Sequence, residues 1–364
     1  MKEALAYSGP KVDVVESPIP TAGPFQMIVK VACVGLNPKD WKVADGAVPG
    51  VTYSNEGDDF SGVVHAVGQG VTEFKVGDRV GVFHKTLSSG GGWAEYAIAW
   101  ESMAFHLADH VSFEEAATVP LAAITSCLGL YRRLPLPYPW DPCDKPQPFI
   151  VYGAASAVGA YAVKLAVLSN IHPIVAVAGR GIDFVETLIH RSRGDTIIDY
   201  RQGDEAVVEA IKATLGNKEP EFAFDAVSEK ETVLNISRVM NKTIGKIVVV
   251  LNIPSGLIPD GISLINSAVE TSQVDLGNDA LTWPNSKGQS VGITHFTTVM
   301  LRFIGRGLNE GWFSAHPHEV VPGGLHGLEG ALTRLKNGSV SATKLVVRIS
   351  DSDGLVANQG RESS

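Results

Sequence analysis

The stretch Val151-Tyr152-Gly153-Ala154-Ala155-Ser156-Ala157-Val158-Gly159 joins two segments of different character. Before it, Phe149–Tyr152 is a short apolar run that reads as a buried strand. After it, Ala157–Ser169 is small and apolar throughout and reads as a helix. A turn of small residues between strand and helix lets the backbone approach a pyrophosphate closely, and the helix start adds unpaired N–H groups and a positive dipole end. Gly153, Ala154, Ala155, Ser156, Ala157 and Val158 are therefore the candidate phosphate-binding residues. Ser156 offers a hydroxyl, and Gly159 permits close helix-on-strand packing. The middle glycine of G-x-G-x-x-G is missing, so the nine residues taken alone also read as an Ala-rich tight turn.

The sequence that follows favours the phosphate reading. Ile174–Ala178, Thr196–Asp199, Phe222–Val227 and Lys246–Leu251 read as strands, with helices expected over Phe184–His190 and Glu205–Leu215. Such alternation implies a mostly parallel sheet covered by helices on both faces. A further helix is expected over Thr297–Gly311, and a last strand over Leu345–Ile349. At the end of the second strand, where an acid would bind a ribose 2′-hydroxyl, the chain reads Ala178-Gly179-Arg180-Gly181. Arg180 suits a 2′-phosphate, so NADP(H) is expected over NAD(H). A surface arginine in a loop is the alternative. Leu251, at the end of its strand, joins the cofactor-binding set.

Upstream the character differs. Met27–Val34, Gly62–Val67 and Arg79–Phe83 are short β signals punctuated by Gly57, Gly68, Gly77-Asp78 and Gly90–Gly92, which suggests a barrel-like all-β unit. Ser112-Phe113-Glu114-Glu115 reads as the start of a helix running to about Tyr131. Leu134–Pro148, with six prolines, must be a loop. A chain of 364 residues with 45% hydrophobic and 19% charged residues fits two globular domains. The formal net charge of −9, without a basic cluster, argues against nucleic acid or an anionic membrane as partner. No apolar run is long enough for a membrane span, and Met1–Val14 has no signal-peptide core. Three scattered cysteines, Cys33, Cys127 and Cys143, imply a reducing, cytoplasmic setting.

An ordered series of motifs resembles one superfamily over nearly the whole chain. It runs through Gly35-Leu36-Asn37-Pro38-Lys39-Asp40-Trp41-Lys42, Glu56-Gly57-Asp58-Asp59-Phe60-Ser61-Gly62, Gly77-Asp78-Arg79-Val80 and Gly91-Gly92-Trp93-Ala94-Glu95-Tyr96. It continues with Ala116-Ala117-Thr118-Val119-Pro120-Leu121 and Thr125, the Gly153–Gly159 loop, Ile198-Asp199-Tyr200-Arg201, Asp225-Ala226-Val227 and Lys344-Leu345-Val346-Val347. The chain resembles the medium-chain dehydrogenase/reductases, in their zinc-independent quinone-oxidoreductase branch. With Leu134-Pro135-Leu136-Pro137 it is most similar to the fungal ToxD-like, trans-acting enoyl reductases. The resemblance implies an α/β fold, a GroES-like β-barrel substrate domain plus a Rossmann-type doubly wound parallel sheet. The expected boundaries are 1–118 for the barrel, completed by 312–350, then 119–311 for the NADP-binding domain and 351–364 for a flexible tail.

The resemblance also implies a reaction: hydride transfer from NADPH to an activated C=C bond of an enoyl or alkenal substrate, carrier-bound in secondary metabolism, with a polyketide synthase as partner. A quinone or small-enone reductase, and a non-catalytic binding protein that keeps the fold, are the alternatives. Where zinc-dependent relatives place a catalytic Cys and a Gly-His-Glu, this chain has Asn37 and Asn55-Glu56-Gly57, and the four-cysteine zinc lobe is absent, so no metal is expected. Lys42 matches a position for an enolate donor or proton source, and its alternative is a solvent-facing lysine beside a buried Trp41. Thr125 matches a position near the nicotinamide, or bonds its own helix backbone. Asn37 matches a residue facing the nicotinamide, or is a satisfied turn residue before Pro38. Tyr200 matches the tyrosine beside the cofactor phosphates, or packs in the core. Asp225 is expected to be structural. Where mitochondrial-type relatives use an early tyrosine as acid, only Tyr53 is near, leaving the proton to Lys42 or solvent. Both monomers and homodimers occur among such relatives.

Overall fold

A computed structural model describes residues 1–48, 50, 54–254, 256–273 and 292–353 of the chain. Tyr53, Ser255, residues 274–291 and residues 354–364 of the expected tail lie outside them. Two compact units are present: Met1–Leu121 with the chain from Glu270 onward, and Ala122–Val269.

The first unit opens with a hairpin, β1 (Lys2–Tyr7) and β2 (Lys11–Glu16). The barrel strands follow as β3 (Gln26–Gly35), β4 (Asp59–Val67), β5 (Arg79–Phe83), β6 (Tyr96–Trp100) and β7 (Ala104–His106). β3 is the hub, antiparallel to both β4 and β6. Register shifts at Ile28/Val29 and Val31/Cys33 bend it, as bulges do. Met27, Val29, Val31, Val34, Phe60, Val80, Val82 and Trp93 form its core. Full burial of a side chain such as Phe60 is worth roughly 1.5–3 kcal/mol.

Three short helices lead out of this unit: α1 (Pro38–Lys42), α2 (Phe113–Ala116) and α3 (Pro120–Cys127). The single helix expected from Ser112 to Tyr131 is broken. Ser112 and Glu115 form a reciprocal capping box that starts α2. Pro120 then bars Val119 from helical geometry and opens a new helix at its own position.

The second unit contains β8 (Phe149–Tyr152), β9 (Ile174–Ala178), β10 (Thr196–Asp199), β11 (Phe222–Asp225), β12 (Lys246–Val249) and β13 (Ser263–Asn266). All pairings are parallel, in the order β10-β9-β8-β11-β12-β13. The order reverses beside β8, which makes the carboxyl ends of β8 and β11 the topological switch point where doubly wound folds bind ligands. Helices α4 (Ala157–Leu168), α5 (Ile182–Glu186), α6 (Asp204–Leu215) and α7 (Lys230–Ser237) complete the unit. α5 ends earlier than expected because buried Asp195 captures the chain beyond it, accepting the backbone N–H of His190 and of Ile174 at 2.8 Å each.

The chain then returns through α8 (Ile293–Glu310), β14 (His318–Val321), α9 (Leu328–Lys336) and β15 (Lys344–Arg348). β15 pairs with β3 and β14, which extends the sheet of the first unit. The sequence reading placed α8 with the dinucleotide domain, but its contacts are with the barrel. Gly305 packs on the Phe105 ring, Asn309 exchanges hydrogen bonds with Ala108 and His106 at 2.8 and 2.9 Å, and Arg302 forks onto Glu73. The first unit thus resumes at Glu270 and not at 312. The tail also starts later than 351: Ser352 is buried, accepting Leu325 N–H and donating to the Ile349 carbonyl. Among the described residues, no helix is long and apolar enough to cross a membrane.

Candidate active site

In the second unit, Gly153, Arg180, Tyr200 and Leu251 all follow the carboxyl ends of parallel strands, so the fold brings them to one edge of the sheet. Gly153 turns the chain at φ +75°, and its N–H and that of Ala154 both donate to the Val177 carbonyl at 3.0 Å. Ser156 then caps α4: its hydroxyl accepts Gly159 N–H at 3.0 Å and donates to the Gly153 carbonyl at 2.8 Å. A Cβ on Gly159 would lie 2.2 Å from the Gly153 carbonyl oxygen, so helix and turn are in direct backbone contact. Among the described residues nothing accepts the N–H of Ala157 or Val158, the first two amides of α4. A tight turn, free amides and the dipole of a 12-residue helix fit a pyrophosphate. Replacing Ser156 by alanine is expected to cost about 1 kcal/mol of stability and to weaken nucleotide binding, checked by thermal melting and nucleotide titration.

Arg180 is exposed at the end of β9. The Tyr200 ring, 45% exposed, lies across Gly179: a Cβ there would meet its Cε1 at 2.5 Å. Tyr200 is therefore a surface residue and not core packing. Leu251 is 41% exposed just past β12. One neighbour escaped the sequence reading. Asp199 stands in register with Ala178 on β9, and Arg201 grips it through Nε and Nη2 at 2.8 and 2.7 Å. Hydrogen bonding from Arg201 holds the Asp199 carboxyl below its usual range. The D-x-R spacing was visible in the sequence as a signal for such a pair. Asp225 is structural, as expected: fully buried, it accepts the N–H groups of Val227 and Ser228 and the Thr232 hydroxyl.

In the first unit, α1 presents Lys42. Its ammonium lies 5.7 Å from the Trp41 ring centroid, and Lys336 lies 5.8 Å from the same ring. Trp41 is only partly buried. Asn37, just before α1, is buried and both ends of its amide are committed. Nδ2 donates to Asp59 at 2.9 Å and Oδ1 accepts from Lys344 at 2.7 Å. Its side chain is thus held by two partners inside this unit. Thr125 belongs to the second unit, where it is buried on α3.

A second buried charge cluster lies against α1. The Lys39 ammonium pairs with Glu56, with Asp58 at 2.8 Å and with Asp40 at 3.4 Å. Burial pulls this lysine down, but Asp58, Asp40 and Glu56 outweigh it and hold it above its ordinary range. Burial pushes Asp40 up to about 8, against the pull of Lys39. His84 completes the cluster, 3.3 Å from Asp58. Burial also raises the thiols of Cys33 and Cys127, the opposite of what a metal-binding thiolate needs. Among the described residues no group of three or more His, Cys, Asp or Glu could hold a metal ion.

The chain is 43% identical over 329 residues to the trans-enoyl reductase fsr4 of Gibberella fujikuroi, covering 90% of this chain and 92% of that one. It belongs to the fungal trans-enoyl reductases. As a member of that family it is an oxidoreductase of the medium-chain dehydrogenase/reductase superfamily, with a nicotinamide cofactor. The trans-enoyl reductase resD of Aspergillus sclerotiorum is 30% identical over 352 residues, covering 92% of this chain and 96% of that one. Residues 23–109 match the alcohol dehydrogenase GroES-like domain. The CurK enoyl reductase crystal structure has the same fold, with TM-score 0.73 and 20% identity across 95% of this chain and 98% of that one.

Proposed function

We propose that this protein is a zinc-independent, NADPH-dependent enoyl reductase that acts in trans, in the cytoplasm, on a carrier-bound substrate delivered by a polyketide synthase. The observation that carries this reading is the near full-length similarity to trans-enoyl reductases. Arg180, at a strand end that lacks an acid, supports NADPH within it.

When bound, the cofactor supplies a hydride to the β-carbon of the conjugated thioester. The chain's residues do the rest. The amides of Ala157 and Val158 bind the pyrophosphate at the start of α4, and the Arg180 guanidinium pairs with the 2′-phosphate. Arg201 neutralises Asp199, which would otherwise repel that phosphate. As negative charge grows on the thioester oxygen, Lys42 donates a hydrogen bond to it or a proton to the α-carbon. Thr125 orients the reacting end. Zinc independence is supported by Asn37, whose amide is held by Asp59 and Lys344, and by the protonated, buried thiols.

The test is oxidation of NADPH and NADH by wild type and Arg180→Ala, with a short α,β-unsaturated thioester, a 2-alkenal and a quinone, each with and without chelator. Chelator-resistant thioester reduction is expected. In Arg180→Ala, kcat/KM for NADPH should fall about tenfold to a hundredfold, with NADH unchanged. Turnover of quinone alone would move the protein to detoxification chemistry. Failure to bind NADPH would end the catalytic reading.

A further inference from the structure

We infer that Asp59 is a positioning residue, a single buried carboxylate that fixes the two short helices carrying Lys42 and Thr125. The inference rests on the proposed function, in which those two side chains serve the reacting groups. Asp59 is 0% exposed at the start of β4. Its Oδ1 accepts the backbone N–H of Leu121 at 2.6 Å. Its Oδ2 accepts Asn37 Nδ2 at 2.9 Å and the Lys344 ammonium at 2.5 Å.

These partners stand at equivalent places on α1 and α3. Each helix opens on a proline, Pro38 and Pro120, which has no N–H to anchor. Asn37 immediately precedes the first proline and Leu121 immediately follows the second. Asp59 therefore holds each helix at the nearest group able to donate. α3 has no acid in its own first turn, so Asp59 supplies the negative charge its N-terminus favours. α1 runs on into a π-helical turn over Val43–Ala47 and α3 into one over Leu128–Arg133, so Asp59 anchors only their first turns. Lys42 and Thr125 lie about one turn beyond these anchors, and a shift of the carboxylate is passed to both. Lys344 balances the charge and donates to Asn37 Oδ1 as well, which orients the amide.

The test compares wild type, Asp59→Glu, and the double variant Asp59→Asn/Lys344→Met, which removes both buried charges together. Three readouts are taken: hydrogen exchange of peptides spanning 37–42 and 120–127, steady-state kinetics, and the isotope effect with deuterated NADPH. In the double variant, exchange in both peptides should rise together. Turnover should fall about a hundredfold with little change in KM for NADPH, and the isotope effect should grow. Asp59→Glu keeps the charge but displaces it by a methylene, and should lose turnover likewise if the double variant does not fold. Wild-type turnover in a folded variant, or increased exchange in only one helix, overturns the inference. If wild type reduces no enoyl thioester while both helices still loosen together, the proposed function fails and the shared anchor stands.

Discussion

Gly159→Ala is expected to weaken nucleotide binding more than a hundredfold. The added methyl would sit 2.2 Å from the Gly153 carbonyl oxygen, 2.8 Å from its carbon and 2.9 Å from Ala154 Cα. Non-bonded carbons prefer about 3.5–4.0 Å, and these neighbours are backbone atoms that cannot swing aside. Relief requires α4 to lift from the turn after β8. That movement breaks the Ser156–Gly159 cap and carries the Ala157 and Val158 amides away from where phosphates would lie. The stability cost should reach about 1–3 kcal/mol from overpacking alone. Gly330→Ala on α9 is the control: a methyl there meets nothing within 4 Å, and replacing a helical glycine should stabilise by roughly 0.5–1 kcal/mol. Titration with NADPH and thermal melting of both variants decide the matter. Wild-type affinity in Gly159→Ala would mean that the turn is not the phosphate cradle.

The parts of the fold legible in the sequence are those whose reason is local. Phe149–Tyr152 and Ile174–Ala178 are strands to the residue, because strands covered on both faces must be continuously apolar. The phosphate turn is equally local, with its glycines, its capping serine and its helix all within one stretch. The β1–β2 hairpin is hard to read locally because the fully buried positions of β1 are only the small Ala4 and Ala6. α8 was read as a helix but placed in the wrong unit, since its partners Phe105, His106 and Glu73 lie some two hundred positions away. The pair that holds the Asn37 amide is illegible for the same reason. Lys344, which occupies its carbonyl, is 307 positions distant, and no spacing in the sequence announces the pair.

Lys39→Met should destabilise the protein by about 3–5 kcal/mol near pH 8, the cost of leaving buried carboxylates without their counter-ion, with the low end favoured because Lys39 is 25% exposed. Asp40, Glu56 and Asp58 are almost wholly buried, and Lys39 is the ammonium they share. The loss must depend on pH. Asp40 already has a folded pKa raised to about 8 by burial, so its stabilising contribution is complete below the unfolded value near 4 and is lost as pH rises through about 8. Lys39, held above its ordinary range by the carboxylates, contributes throughout that interval and loses its contribution only at higher pH. Without Lys39, which pulls it down, Asp40 shifts further upward, and the folded state binds a proton that the unfolded state has released. Each such proton adds about 1.4 kcal/mol of stability per pH unit on acidification. Denaturant unfolding of the variant should therefore recover markedly between about pH 8 and about pH 5, while the wild type changes less. An equal deficit at both ends would show that methionine acts through lost packing and not through charge. Recovery of the fold at low pH without recovery of turnover would show that the ammonium is also needed to hold α1, and Lys42 on it, in the pose the reaction requires.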